Sequence, residues 1–259
     1  MALISELRSK GIGLALGGGA ARGLAHIGVL RVLEEEGIPV RYVAGTSVGS
    51  VIGAAFCGGF GWKDLGEMAR AIDWRDIASL TFPRRGLMST SGFERLLNRY
   101  LNNKTFGELG IPLAVVAVDL ISEQEVVIRS GPVASAVRAS CAIPGIFEPV
   151  VKDGQVLVDG GLRNNVPADV VRDMGAEFVI GIDLNADTGH DRPPKGFIDV
   201  LHYTFDILVK HGGQGGLRAA DLVVRPSLRD FGYQDLHRLR ELVSRGDSAM
   251  RAALEAYKQ

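Results

Sequence analysis

The segment that most constrains the fold is a short apolar run that ends in a glycine loop and leads into a helix. Residues 12–16 (IGLAL) precede three glycines at 17–19, and from Leu24 onward apolar residues recur at helical spacing. A second unit of this kind runs from residues 40–44 through the glycine-flanked turn at 45–49 into another apolar helical segment. Strands that alternate with helices in this way predict an α/β fold with a mostly parallel sheet.

Further strand signals follow downstream. Residues 112–120 and 124–129 have the pattern of paired strands, and the Asp-Gly pair within 150–158 is typical of a hairpin turn. The apolar run at 177–184 predicts a buried parallel strand, and 221–225 offers a last short strand. The sheet is therefore expected to continue well past the second glycine turn.

The length of the chain favours one domain. A chain of 259 residues can bury a single large core, so we expect one domain over residues 1–259. Its motif-bearing core is expected at about 12–185, with a helical extension at about 197–259. The 34 glycines are nearly twice the usual share, which fits an enzyme with many tight turns between strands and helices.

Charge and composition exclude several classes of partner. The net charge is −1 and no basic patch is present, so we expect no nucleic-acid partner. Cys57 and Cys141 lie in apolar surroundings, which is typical of reduced thiols in a cytoplasmic protein. No run approaches the roughly 18 apolar residues of a membrane-spanning helix, so any membrane contact is expected to be peripheral. The oligomeric state is not predicted.

The turn at residues 45–49 (GTSVG) fits the pattern G-x-S-x-G between a strand and a helix. In that setting a sharp turn exposes the hydroxyl of Ser47, and the flanking Gly45 and Gly49 let the neighbouring backbone come close. The start of the next helix also favours negative charge at the serine. A small-residue turn in a glycine-rich chain is the competing structural interpretation.

The first glycine loop, residues 17–23, presents several backbone N–H groups at a helix N-terminus and predicts an oxyanion hole. The alternative is a dinucleotide-binding fingerprint. The loop departs from that pattern at Ala20, and about 20 residues later Arg41 and Tyr42 stand where an acidic ribose ligand is needed. The oxidoreductase hypothesis is therefore the weaker one.

A serine nucleophile needs a base, and Asp159 is the best candidate. It follows an apolar strand and precedes Gly160 and Gly161, so its carboxylate can emerge at a strand end with little steric cover. An ordinary Asp-Gly turn is the competing interpretation.

Histidine and metal chemistry have less support. A Ser-Asp-His triad stays open because four histidines follow Asp159 in the chain, namely His190, His202, His211 and His237, whereas His26 falls inside the first helix. The sequence contains no H-E-x-x-H and no paired Cys-x-x-Cys, so we expect no metal site.

Three motifs together resemble the patatin-like phospholipase family, and closely its small bacterial members. They are GGGAARGLAHIGVL at 17–30, GTSVG at 45–49 and VDGGLRNNVP at 158–167. The segment RASCAIPGIFEPV at 138–150 resembles a further family block. The resemblance implies a three-layer α/β/α fold and a dyad without histidine, with Ser47 as nucleophile and Asp159 as base.

The resemblance also assigns the oxyanion hole and the substrate class. It implies that Gly18, Gly19 and Ala20 form the oxyanion loop and that Arg22 helps to set it. Ala20 departs from the usual glycine, which matters if this position needs a positive φ. No metal or cofactor is implied.

The expected activity is hydrolysis of carboxylic esters in phospholipids, lysophospholipids or related acyl esters through an acyl-enzyme. An apolar groove walled by residues 60–110 or 197–211 is expected beside the site. Two alternatives stay open: an α/β-hydrolase esterase with a Ser-Asp-His triad, and a lipid-binding or regulatory module with little turnover.

Overall fold

The structure is a computed structural model that describes residues 2–72, 79–80, 88–187, 189, 193–212 and 215–257. In these residues a central sheet is flanked by helices on both faces, which confirms the predicted three-layer α/β/α fold. Parts of the groove wall predicted at 60–110, namely residues 73–78 and 81–87, lie outside the described residues, as does His190.

Ten strands are formed by the described residues. Eight belong to the main sheet, and β3 and β4 pair only with each other. The strands are β1 (Ile12–Leu16), β2 (Val40–Thr46), β3 (Ser79–Leu80), β4 (Met88–Ser89), β5 (Leu113–Asp119), β6 (Glu125–Ile128), β7 (Val150–Lys152), β8 (Gln155–Asp159), β9 (Val179–Ile182) and β10 (Leu222–Val224).

The helices alternate with these strands along the chain. The α-helices are α1 (Ala2–Lys10), α2 (Ala25–Glu35), α3 (Val48–Cys57), α4 (Trp62–Ala71), α5 (Ser91–Leu101), α6 (Val133–Ser140), α7 (Ala168–Asp173), α8 (Phe197–Gly212) and α9 (Leu239–Ala256). Short 3-10 helices occur at Ala20–Leu24, Phe106–Glu108, Gly160–Leu162, Gly216–Ala219 and Leu236–Arg238.

The main sheet has the strand order β10-β9-β1-β2-β5-β8-β7, and β6 pairs with β5. The five strands from β10 to β5 are parallel, and the pairs β5–β6, β5–β8 and β7–β8 are antiparallel. The mostly parallel sheet and the hairpin are therefore as predicted. In the hairpin turn Asp153 and Gly154 both have positive φ, 49° and 80°, as an Asp-Gly turn requires.

The two faces of the sheet carry different side chains. Leu14, Leu16 and Val43 pack with the helices on one face, whereas Ala15 and Ala44 leave room for closer packing on the other. Strand alternation produces this division, because successive side chains point to opposite faces. All five residues are fully buried, so the core extends through both layers.

The C-terminal segment is integrated into this core. Its strand β10 forms the sheet edge, so the segment after 197 is not helical throughout. Helix α9 crosses α2 at very close range, and Gly246 permits this contact. A Cβ on Gly246 would lie 1.9 Å from the carbonyl oxygen of Ala25. Across the same contact Asp247 pairs with Arg31, whose Nε donates to the carboxylate at 2.8 Å. Helix α1 was not predicted; its Leu7 is buried against the core.

Candidate active site

Ser47 occupies a sharp turn between β2 and α3. Its backbone has φ 52° and ψ −128°, a sparsely populated conformation for a residue with a side chain. Such a conformation costs on the order of 1–3 kcal/mol and persists only where the surroundings fix it. The turn places Ser47 at the first position before α3, where the helix dipole favours negative charge.

The glycines on either side of Ser47 are required by close backbone contacts. A Cβ on Gly49 would lie 2.0 Å from the carbonyl oxygen of Leu16, and one on Gly45 would lie 2.6 Å from the backbone of Gly49. Both distances are far below van der Waals contact. The G-x-S-x-G spacing therefore has the steric basis that the sequence predicted.

Hydrogen bonds hold the Ser47 backbone in this turn. Its N–H donates to Oγ of Ser140 at 2.8 Å, and that hydroxyl donates to the carbonyl of Val116 at 2.5 Å. The hydroxyl of Ser50 donates to the Ser47 carbonyl at 2.6 Å. Ser140 lies in the 138–150 block, and its contact with a residue 93 positions away was not predicted.

Asp159 is the last residue of β8 and is fully buried. Its Oδ1 accepts a hydrogen bond from the Gly161 N–H at 2.8 Å, which caps the 3-10 helix at Gly160–Leu162. Burial raises the pKa of Asp159 to about 7, although the bond from Gly161 and the neighbouring hydroxyl of Ser47 oppose the shift. Its Oδ2 has no hydrogen-bond partner among the described residues.

A single strand, β5, brings Ser47 and Asp159 together. Thr46 pairs with Val116, and Asp159 pairs with the next residue, Ala117. Val116 and Ala117 both pair with β6 on one edge, so β2 and β8 must share the other edge and meet end to end. Ser47, the residue after Thr46, therefore lies at the end of β8, where the Asp159 carboxylate is.

The glycine loop lies beside Ser47. A Cβ on Gly18 would approach the Ser47 Cβ to 3.1 Å, so a side chain here would crowd the serine. The N–H of Gly18 donates to the carbonyl of Asn165 at 3.2 Å. The N–H groups of Gly19 and Ala20 donate to no backbone carbonyl in the described part of the chain, so these two are the loop donors left for a ligand.

Ala20 departs from glycine at a position where glycine is favoured. Its φ is 49°, in the left-handed region. For a residue with a Cβ that conformation costs about 1–2 kcal/mol. Its N–H is nevertheless kept, so the substitution strains the loop without removing a donor.

Arg22 connects the glycine loop to the C-terminal segment. The side chain is buried; its Nε donates to the carbonyl of Phe231 at 3.0 Å and its Nη1 to Asn185 Oδ1 at 2.9 Å. Asn185 in turn donates from Nδ2 to the carbonyl of Gly18 at 2.9 Å, and the guanidinium lies 4.8 Å from the ring centre of Tyr233. Arg22 thus joins the C-terminal segment to Asn185, which holds the Gly18 carbonyl, and the sequence did not indicate these partners.

The described histidines do not line the cavities at Ser47. His26 is fully buried, bonds the carbonyl of Gly17 through Nε2 at 2.8 Å, and has its pKa lowered to about 4 by burial. His202 stacks on Tyr233 with ring centres 5.0 Å apart. Among the four described histidines, none lines either cavity at Ser47.

Ser47 lies where two cavities meet. A small cavity, called here the polar cavity because Asp159, Asn165 and Asn185 contribute to its mixed lining, also contains the glycine loop. A larger cavity of about 160 Å³ is almost entirely apolar. Ser47, Ala20 and Ile143 line both. The apolar cavity is walled largely by α3, α4 and α5, with the side chains Val48, Val51, Ile52, Leu65, Met68, Ala69, Phe93, Leu96, Leu97 and Tyr100.

Both predicted wall segments therefore contribute to the site. Residues within 60–110 line the apolar cavity, while Phe205 and Val209 of α8 line the polar one. In the described residues no group of three or more His, Cys, Asp or Glu side chains is arranged to hold a metal. A search of the same residues for a helix long and apolar enough to cross a membrane also finds none.

The fold and the motif order define a known family of lipid hydrolases. The patatin-like phospholipase family model matches residues 14–172, and the chain belongs to this family. Human patatin-like phospholipase domain-containing protein 6 is 38% identical over 204 residues, which cover 75% of this chain and 15% of that protein. The Mycobacterium bovis NTE family protein Mb2594 is 31% identical over 282 residues, covering 98% of this chain and 48% of its own length.

The chain thus spans less than half of the length of either relative.

Among solved structures, VipD from Legionella pneumophila superposes with a TM-score of 0.67 at 15% identity, covering 95% of this chain and 67% of VipD. The type III effector ExoU gives a TM-score of 0.56 at 13% identity, covering 95% and 53%. At these identities the likeness shows a shared fold.

Proposed function

We propose that this protein is a serine acyl hydrolase that cleaves carboxylic ester bonds of phospholipids, lysophospholipids or related acyl esters. The observation that carries the proposal is the position of Ser47, in a strained turn beside a buried carboxylate and at the mouth of an apolar cavity. Membership of the patatin-like phospholipase family supports a lipid hydrolase role.

In the proposed first step Asp159 is the general base. Its carboxylate takes the proton from Ser47 Oγ as that oxygen attacks the ester carbonyl, and the carbonyl oxygen gains the negative charge. A general base works best when its pKa lies near the working pH, and burial brings the pKa of Asp159 to about 7. The bond from Gly161 keeps the carboxylate oriented.

The oxyanion is stabilised by the N–H groups of Gly19 and Ala20. Donors of this kind, fixed before the charge develops, are each worth about 2.7–4 kcal/mol of transition-state stabilisation. Collapse of the intermediate breaks the ester C–O bond, and the departing alcohol takes the proton from Asp159. Asp159 then deprotonates a water molecule, and the oxygen of that water attacks the carbonyl carbon of the acyl-enzyme. Collapse of this second intermediate breaks the bond to Ser47 Oγ and releases the fatty acid, and Asp159 returns the proton to Oγ.

The apolar cavity supports acyl chains as the bound group. It opens at Ser47 and is walled by α4 and α5, so an acyl chain can lie along it while the alcohol portion faces the polar cavity. A triad mechanism has less support, because the described histidines do not line the site.

The test is hydrolysis of p-nitrophenyl butyrate and p-nitrophenyl decanoate by the wild type, Ser47→Ala and Asp159→Asn. A fourth variant replaces His190, His202, His211 and His237 by Gln and keeps His26, whose ring fixes the Gly17 carbonyl. We expect both dyad variants to lose at least about 10³-fold in kcat and the histidine variant to keep its activity.

Other outcomes point elsewhere. Loss of turnover in the folded histidine variant would favour a triad. No turnover by the wild type on either ester would favour a lipid-binding or regulatory module that retains the fold without the chemistry.

A further inference from the structure

Helix α8 has an unusual outer surface. Five large apolar side chains of this helix are exposed: Phe197 is 68% exposed, Ile207 58%, Leu208 50%, Val200 48% and Ile198 36%. Scattered apolar residues are normal on a protein surface, but a contiguous patch usually marks an interaction site.

The helical spacing puts all of these side chains except Ile198 on one stripe. At about 100° per residue, Phe197, Val200, Ile207 and Leu208 fall within one third of the helix circumference, together with Thr204 and His211. The charged residues Asp199, Asp206 and Lys210 fall on another side, so this stripe carries none of the helix's Asp, Glu, Lys or Arg residues. A water-facing helix surface normally carries such charges, so the stripe suits an apolar environment.

The opposite side of α8 forms part of the candidate active site. Phe205 and Val209 line the polar cavity with Ser47 and Asp159. Between this side and the stripe, Leu201 packs near Gly145 and against the cluster that contains Ile143. One helix therefore separates the candidate catalytic groups from the exposed apolar stripe.

A second exposed apolar element lies at the same edge of the sheet. Leu120 and Ile121 follow the C-terminal end of β5 and are 48% and 70% exposed. Strand β5 is parallel to β2, so its C-terminal end lies at the edge where β2 leads into Ser47. Exposed apolar side chains therefore occur on two elements near the candidate active site.

We propose that the outer stripe of α8, defined by Phe197, Val200, Ile207 and Leu208, docks on a lipid surface. The helix would lie in the plane of the interface with its apolar side chains among the acyl chains, and its inner side would keep the catalytic cavity next to the substrate. The purpose of the contact rests on the proposed function, whereas the contact itself does not require turnover.

A lipid surface fits the stripe better than a second copy of the chain. A stable dimer buries roughly 800 Å² on each partner. Large side chains contribute at most about 200 Å² each, and these four are about half exposed, so the stripe offers about half of that area. A lipid surface has no minimum contact area of this kind.

The test uses sedimentation with phosphatidylcholine vesicles, with and without phosphatidylglycerol. Ser47→Ala is the background, so that hydrolysis does not change the vesicles during the measurement. We compare it with the same protein carrying Val200→Glu and Ile207→Glu together. The control carries Tyr257→Glu, which changes an apolar residue that is 47% exposed and packs on Phe178, at the opposite edge of the sheet.

We expect the double variant to bind vesicles at least about tenfold more weakly and the control to bind normally. Because the stripe is uncharged, binding should change little between about 0.1 M and 1 M salt or with anionic lipid. Equal binding by the double variant and its background would overturn the proposal. The proposal would also be overturned if the wild type were a dimer, the double variant were a monomer, and the two bound vesicles equally well.

Hydrolysis of the soluble butyrate ester separates this proposal from the proposed function. With an active Ser47, the double variant should cleave the soluble ester at the wild-type rate and lose activity only on vesicles. Suppose that the wild-type protein cleaves no ester but binds vesicles, and that the double variant does not bind them. That result would support the docking surface and refute the proposed hydrolase activity. Thermal unfolding midpoints within about 3 °C of the background show that the variants are folded.

Discussion

Asp159 and Thr46 pair with adjacent residues on the same edge of β5, so that the carboxylate at the end of β8 meets the turn that begins at Ser47. The two strands run in opposite directions along this edge and meet end to end. This arrangement brings the carboxylate of Asp159 and the turn at Ser47 to the same place along β5. It also buries the carboxylate fully, which raises its pKa.

The first prediction concerns the pH dependence of hydrolysis. In the proposed mechanism Asp159 is a base only when ionised, and its pKa is raised to about 7. We therefore expect kcat/KM for p-nitrophenyl butyrate to rise with pH through about 7 and to level off above about 8. An activity that is already maximal at pH 5 would show that the base has an ordinary carboxylate pKa or is a different group.

The second prediction concerns stability. Because the pKa of Asp159 is higher in the folded protein than its ordinary 3.8, the folded state binds the proton more tightly. The contribution of Asp159 to the free energy of unfolding is greatest below about pH 4. It falls as the pH rises from there through about 7. An asparagine side chain does not ionise, so Asp159→Asn removes this pH-dependent loss. The free energy of unfolding of the variant, relative to that of the wild type, should rise by up to about 4 kcal/mol from pH 4 to pH 8.

Urea unfolding at pH 4, 6 and 8 measures this difference. The comparison of wild type with Asp159→Asn at each pH cancels the contribution of other titrating groups. A difference that stays constant across the three pH values would contradict the raised pKa.

The third prediction concerns the turn at Ser47. A methyl group at Gly49 would collide with the Leu16 carbonyl, so Gly49→Ala should displace the turn, reduce kcat at least about 100-fold and destabilise the fold by about 1–3 kcal/mol. The matched control is Gly66→Ala in α4, where a Cβ meets nothing within 4 Å. That substitution should stabilise the helix by up to about 1 kcal/mol and leave kcat unchanged. Equal kcat values in the two variants would argue against a strained turn.

The fourth prediction concerns acyl-chain length. Ala69 is a partly buried residue of α4 that lines the apolar cavity, and Ala69→Phe should shorten the space for the acyl chain. We expect kcat/KM to fall about tenfold for a decanoate ester and less than about twofold for a butyrate ester. Glu67→Phe, on the exposed side of the same helix, is the control and should change neither. Equal losses on both esters would place the acyl chain elsewhere.

The sequence predicted the parts of this site that depend on local structure. Apolar runs ended by glycine marked β1 and β2, and the Asp-Gly pair marked the β7–β8 hairpin, because a strand or a turn is determined by neighbouring residues. Ser47 and Asp159 were selected for the same reason, since each stands at a strand end next to glycines.

Contacts between distant segments were outside the reach of such patterns. Ser140 supports Ser47 across 93 positions, and Asn185 reaches Gly18 across 167. Both are common polar residues with no distinctive spacing, and only the folded sheet brings them to the site. The same holds for the outer stripe of α8, whose exposure depends on which side of the helix packs inward.

The mass of the acyl-enzyme tests most directly whether Ser47 is the nucleophile. The wild type is mixed with p-nitrophenyl decanoate, quenched in acid during turnover and digested, and the peptide that contains Ser47 is examined by mass spectrometry. We expect a decanoyl adduct on Ser47 in the wild type and none in Asp159→Asn. Turnover without this adduct, or an adduct on another residue, would contradict that role for Ser47.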